Sequence, residues 1–141
     1  MRQTYYGVDS VLYHELENHI KQFSQLTRDL FSQAITKEQK VALMKEKEEW
    51  KETIQNKLLE DGTILGFLTM EQIDDVETTI QVIEDEEIKG LLRSNFIPNH
   101  KLEEVIVSLM KVDSTDYVKN LIFFLEKAKQ NQQSVIVWIM E

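Results

Sequence analysis

The feature that most constrains this chain is Ser134–Met140, SVIVWIM, an unbroken apolar run rich in β-branched residues. It is far shorter than the roughly 20 apolar residues a membrane span requires. A short continuous run of this kind reads as a strand covered on both faces and lying centrally in a sheet. A central strand needs partners, and two other segments qualify. Thr4-Tyr5-Tyr6-Gly7-Val8 carries aromatics that favour a sheet, and Thr63–Leu68, TILGFL, is a short apolar run bounded by turn residues.

The rest of the chain has helical periodicity. After Asp9 and Ser10, both able to cap a helix, Leu12, Leu16, Ile20, Phe23, Leu26, Leu30 and Ala34 recur at spacings of three and four. They predict one long helix over roughly Val11 to Gln33. Thr36-Lys37-Glu38-Gln39 has the capping-box pattern and starts a second, with Leu43, the stem of Lys47, Trp50, Ile54 and Leu58 facing inward. Gly62 is expected to stop it in the left-handed conformation. The two helices are expected to form an antiparallel hairpin.

A second capping box, Thr69-Met70-Glu71-Gln72, opens a helix with Ile73, Val76, Ile80 and Ile83 inward and Asp74, Glu77, Thr78 and Gln81 outward. Asp85-Glu86-Glu87 opens a short helix carrying Ile88, Leu91 and Leu92. Pro98 ends that section, and Asn99 is expected to cap a helix with Leu102, Val105, Ile106 and Leu109 inside. Asp113, Ser114 and Thr115 offer caps for a last helix through Tyr117, Val118, Leu121, Ile122, Leu125 and Ala128, broken at Asn131. The expected fold is α+β and mostly helical: one domain over residues 1–141, its helices packed on a small sheet of N-terminal, central and C-terminal strands. A chain of 141 residues buries roughly two thirds of its unfolded surface, enough for a core without staples.

Charge is distributed unevenly. From Leu58 to Ile88 there is no Lys or Arg, but ten acids: Glu60, Asp61, Glu71, Asp74, Asp75, Glu77, Glu84, Asp85, Glu86 and Glu87. The remaining fifteen acids and sixteen bases nearly cancel, so the net charge of −9 resides in one block. Phosphate binding needs clustered cations, which disfavours nucleic acid as a partner. A basic surface on another protein is the complement such a block would fit. Glu71, Asp74 and Asp75 fall in the first turns of a helix, where the helix dipole favours negative charge. Glu84-Asp85-Glu86-Glu87 is explained only in part by capping.

Three segments in order carry a family resemblance. They are Tyr5-Tyr6-Gly7-Val8-Asp9-Ser10; Gly66-Phe67-Leu68-Thr69-Met70-Glu71-Gln72 with the helices from Ile73 to Leu92; and Tyr117 to Ile139. This succession resembles the YfbM-like family of small bacterial domains, with its opening strand and cap, its central "[YF]-L-T-x-E-[EQ]-[VI]" segment and its closing helix, polar turn and hydrophobic strand. The family usually has D-K-x-W followed by a histidine. Here Glu48 and Glu49 precede Trp50, Thr53 and Ile54 stand where the histidine would be, and a polar loop before F-L-T is nearly missing. The resemblance implies an α+β fold and no established activity.

Several chemistries lack a sequence basis. With no cysteine there are no disulfides, thiolate metal sites or cysteine nucleophiles, which suits a reducing compartment. The opening MRQTYYGVDS does not read as a secretory signal, so a cytoplasmic protein is expected. No cofactor is expected, and no metal. His14 and His19 lie about 140° apart around a helix; Glu15 and His19, four apart, would need a third ligand from elsewhere. Asp74 and Asp75 point about 100° apart and form no dyad. There is no G-x-S-x-G and no phosphate-cradling glycine loop. The stripe Tyr117, Leu121, Phe124 and Ala128 reads as core in preference to a partner surface.

Three functions follow as expectations. The first is a non-enzymatic protein-binding module of inhibitor, immunity or anti-defence type, bacterial or phage in origin. It would act through Asp74, Asp75, Glu77, Glu84, Asp85, Glu86 and Glu87. The second is a ligand-binding domain or enzyme with a pocket between sheet and helices, and the third an oligomeric structural protein joined through the long helix pair.

Overall fold

A computed structural model of the chain describes residues 2–32, 34–112 and 115–140. In chain order the elements are β1 (Arg2–Val8), α1 (Ser10–Leu30), α2 (Lys37–Asp61), β2 (Thr63–Thr69), α3 (Met70–Gln81), α4 (Glu86–Arg93), β3 (Phe96–Ile97), a 3₁₀ turn (Asn99–Lys101), α5 (Leu102–Met110), α6 (Asp116–Gln130) and β4 (Ser134–Met140). The fold is α+β, as the sequence predicts. The chain divides into two compact units. One holds β1 and everything from β2 onward; the other is the α1–α2 hairpin.

In the first unit β4 is central. The strand order is β2-β1-β4-β3 and every pairing is antiparallel. Val135, Ile136, Val137 and Trp138 are all buried, which accounts for a strand with no polar face. β3 is a strand the sequence did not announce. Two residues carry no periodicity, and Phe96 and Ile97 are recruited by pairing with Ile136 and Val135. One sheet face, with Tyr5, Leu65, Leu68, Val135 and Val137, shares a core with Val76 and Ile80 of α3, Ile88 of α4, Leu102, Val105 and Leu109 of α5, and Val118, Leu121 and Leu125 of α6. Truncating a buried leucine here to alanine costs roughly 2–5 kcal/mol.

The β1–β2 ladder contains a bulge. Tyr5 stands opposite Gly66 and Tyr6 opposite Ile64, which leaves Leu65 as the extra residue. The Leu65 carbonyl accepts from Lys127 Nζ at 3.5 Å. Gly66 has φ +158, and a Cβ there would overlap Cε1, Cζ and Cδ1 of Phe124. The Phe124 ring fills that space and packs on Tyr5 at a centroid distance of 5.6 Å. The glycine thus serves the close approach of α6 to the sheet.

In the second unit, Glu15 meets Lys57 at 2.5 Å, His19 stacks on Trp50 at 5.0 Å, and the Lys47 ammonium lies 5.3 Å from the Phe23 ring centroid. As α1 numbers rise, α2 numbers fall, so the hairpin is antiparallel. Lys57 holds the Glu15 carboxyl below its ordinary range, and Glu15 in turn raises Lys57. The pair is solvated, so it fixes register more than it stabilises. On α2 burial is complete only at Ile54 and Leu58; Leu43, Lys47 and Trp50 are half-buried.

Local signals held at both capping boxes. Thr36 and Gln39, and Thr69 and Gln72, exchange reciprocal side-chain to backbone bonds. Four expectations need correction. The α1 helix stops at Leu30, and Ala34 lies beyond it; Gln33, expected as its end, is outside the described residues. Gly62 ends α2 in an extended conformation, φ −87, and not the left-handed one. Its lack of a Cβ matters because one would press on the Leu58 carbonyl oxygen. Asn99 does not cap a helix, since it is drawn into the 3₁₀ turn. Its N–H donates to Ser134 Oγ at 2.9 Å and its Nδ2 to the Gln133 carbonyl at 3.0 Å. Thr115 precedes α6 without a side-chain cap bond, and the alternative caps Asp113 and Ser114 lie outside the described residues.

The Gly66–Phe124 approach yields a prediction. Gly66→Ala should lower unfolding free energy by about 1–3 kcal/mol, the usual cost of overpacking. Combined with Phe124→Leu the losses should be less than additive, as measured by urea denaturation, because the second change empties the space the new methyl needs.

Candidate functional site

The acidic block does not form one uniform surface. Glu60 and Asp61 end α2, in the hairpin unit, while the other eight acids lie on α3, α4 and the link between them. Glu71 is in the first turn of α3. Asp74 is exposed and Asp75 half-exposed. Glu77 Oε1 accepts from Arg93 Nη2 at 2.6 Å and Nε at 2.9 Å, which ties α3 to the last turn of α4.

The link Glu84-Asp85-Glu86-Glu87 is largely employed by the fold itself. Asp85 Oδ1 accepts from the backbone N–H groups of Glu87 and Ile88 at 2.9 and 3.3 Å and caps α4. Glu86 lies 3.6 Å from Lys89, and Glu87 2.8 Å from Lys101. The hydrogen bond that Lys101 donates to Glu87 raises the Lys101 pKa, against partial desolvation and with help from Glu104. Both lysines come from segments that follow the base-free window in sequence, so the charge count alone could not show the pairing. Among the described residues Asp74, Asp75 and Glu84 form no ion pair.

Glu84 and Asp85 also rim a cleft of about 420 Å³. Val82 and Ile83 line it from the end of α3, and Ser108, Lys111 and Val112 from the end of α5. Ile83 is buried, Val112 half-buried and Val82 63% exposed. Val82 lies off the inward stripe of Ile73, Val76, Ile80 and Ile83, and an apolar residue out of phase was the available signal for this spot. Two carboxylates over an aliphatic floor suit a side chain with an apolar stem and a cationic end; Lys111, at the opposite rim, is a like charge such a visitor must skirt.

A smaller pocket of about 150 Å³ lies between the sheet and α3, α4 and α6. Its polar lining is Gln3, Tyr5, Glu77, Arg93 and Ser94; its apolar walls include Leu68, Ile73, Val76, Ile80, Leu121 and Val137. The Tyr5 hydroxyl donates to Gln3 Oε1 at 3.3 Å. Burial pushes the Tyr5 phenol far above its ordinary range, so it stays neutral in water at any ordinary pH. Ser94 Oγ is occupied by the backbone of Leu91 and Phe96. Sequence reasoning missed Gln3, Tyr5 and Arg93 here because they reach one pocket from two elements, β1 and α4, far apart in the chain.

Among the described residues no three His, Asp or Glu side chains gather as metal ligands. His19 is engaged by Trp50 and Glu15 by Lys57. Among the same residues no helix is long and apolar enough to cross a membrane. The chain matches no family model, no curated protein and no solved structure.

The division of labour within the link predicts unequal responses to substitution. Asp85→Ala should cost about 1 kcal/mol through loss of the α4 cap. Glu84→Gln should stay within about 0.5 kcal/mol of the parent. Chemical denaturation of the two variants measures the contrast.

Proposed function

We propose that this chain is a non-enzymatic, cytoplasmic protein-binding module of inhibitor, immunity or anti-defence type, from a bacterium or phage, and a divergent relative of the YfbM-like family. Its partner presents a basic surface. Of the seven acids expected to bind it, Asp74, Asp75 and Glu84 are the ones free to do so. Glu77, Asp85, Glu86 and Glu87 shape the site and keep their internal partners.

The observation that carries this reading is the coincidence of one unpaired carboxylate, Glu84, with an exposed apolar residue and a cleft. Glu84 stands at the cleft rim beside Val82. A partner lysine or arginine would lay its stem on Val82 and Val112 and its charge against Glu84. Charge complementarity of this kind mainly accelerates association and sets specificity, and the apolar contact slows release. The kinship is supported by the order of the opening, central and closing segments, including Gly66-Phe67-Leu68-Thr69 and the terminal strand.

The test starts with affinity capture from the native cell and continues with titration of the purified partner. The triple change D74N, D75N and E84Q should leave the unfolding midpoint nearly unchanged and weaken binding at least tenfold, with the parent's affinity falling as salt rises. A partner held equally well by the triple variant would contradict the proposal.

A further inference from the structure

The pocket under α3 and α4 has a charge arrangement distinct from the acidic surface. Its mouth is formed by one carboxylate and one guanidinium, Glu77 and Arg93, whose side chains are 38% and 45% exposed. Their mutual bonds use only Glu77 Oε1 and Arg93 Nε and Nη2. Glu77 Oε2 and Arg93 Nη1 remain available to a ligand. Below them the walls are aliphatic, and beside them lies the Gln3 amide, whose Oε1 is taken by Tyr5 while Nε2 can donate.

We propose that this pocket binds a small aliphatic α-amino acid of the size of valine or leucine. The α-ammonium donates to Glu77 Oε2. The α-carboxylate accepts from Arg93 Nη1 and Gln3 Nε2. The side chain enters between Val76, Ile80, Leu121 and Val137. Two features select this class. The mouth is a mutually paired carboxylate and guanidinium with no net charge, so a zwitterion adds one charge-assisted bond at the remaining atoms of each, whereas a singly charged ligand adds one bond and gives the neutral mouth a net charge. A pocket of about 150 Å³ takes a body of roughly benzene size, which admits a branched aliphatic chain.

The experiment is a titration of the intact chain with leucine, followed by NMR of the methyl groups of Val76, Ile80, Leu121 and Val137. Isocaproate, which lacks the ammonium, and isoamylamine, which lacks the carboxylate, are the controls. Saturating shifts with leucine are expected, with each control about tenfold weaker, as for loss of one charge-assisted contact. Glu77→Gln should weaken leucine about tenfold and leave isocaproate unchanged; Arg93→Gln should weaken leucine and isocaproate and leave isoamylamine unchanged. Circular dichroism checks that both variants fold, and if either does not, the ligand series on the parent chain decides alone. Absence of saturating methyl shifts, or equal affinity for leucine and both controls, overturns the proposal. None of these changes touches Asp74, Asp75 or Glu84, so this outcome and that of the partner-binding test are independent.

Discussion

The ladder between β1 and β4 is the interaction on which the first unit depends. It runs without a break from Arg2 opposite Met140 to Val8 opposite Ser134, joining segments from the two ends of the chain. Each other strand is attached to one member of this pair: β2 to β1, and β3 to β4. The pocket is floored by one of its rungs, since Tyr5 and Val137 are direct cross-strand partners and both line it. Closing so long a loop is entropically costly, and it is compensated only when the helices α3 to α6 bury the same sheet face.

What the sequence made legible was whatever had a local cause. Reciprocal bonds at Thr36–Gln39 and Thr69–Gln72 involve residues three apart, so a pattern of four letters contains the whole interaction. SVIVWIM was legible for a related reason, because a strand buried at every residue from Val135 to Trp138 must be apolar throughout. Non-local causes were not legible. β3 exists because β4 offers it an edge, and Asn99 lies within the 3₁₀ turn, where its backbone N–H and Nδ2 donate to Ser134 Oγ and the Gln133 carbonyl of a segment far along the chain. Gly66 looked like an ordinary strand residue, but its purpose is set by Phe124 in a helix far along the chain.

The acidic block shows the same boundary in electrostatic form. A window without lysine or arginine looks like an uncompensated surface, yet Arg93, Lys89 and Lys101 fold back to neutralise Glu77, Glu86 and Glu87. Asp85 is consumed by the α4 cap. What survives as free charge is narrower than the sequence suggested, and it is better placed, because Glu84 adjoins an exposed valine and a cleft. Glu77 changes meaning as well, from one acid of a patch to the carboxylate of an ion pair with Arg93 at the pocket under α3 and α4.

If the β1–β4 ladder is the interaction the first unit rests on, its amides open only when the whole unit unfolds. Native-state hydrogen exchange measures this directly. The hydrogen-bonded amides between β1 and β4, those of the Tyr6–Ile136 pair among them, should exchange with the free energy of global unfolding, and those at the ends of α3 and α4 through smaller openings. Ladder amides that exchange faster than the amides of α5 and α6 would contradict the account and place the organising contact among the helices.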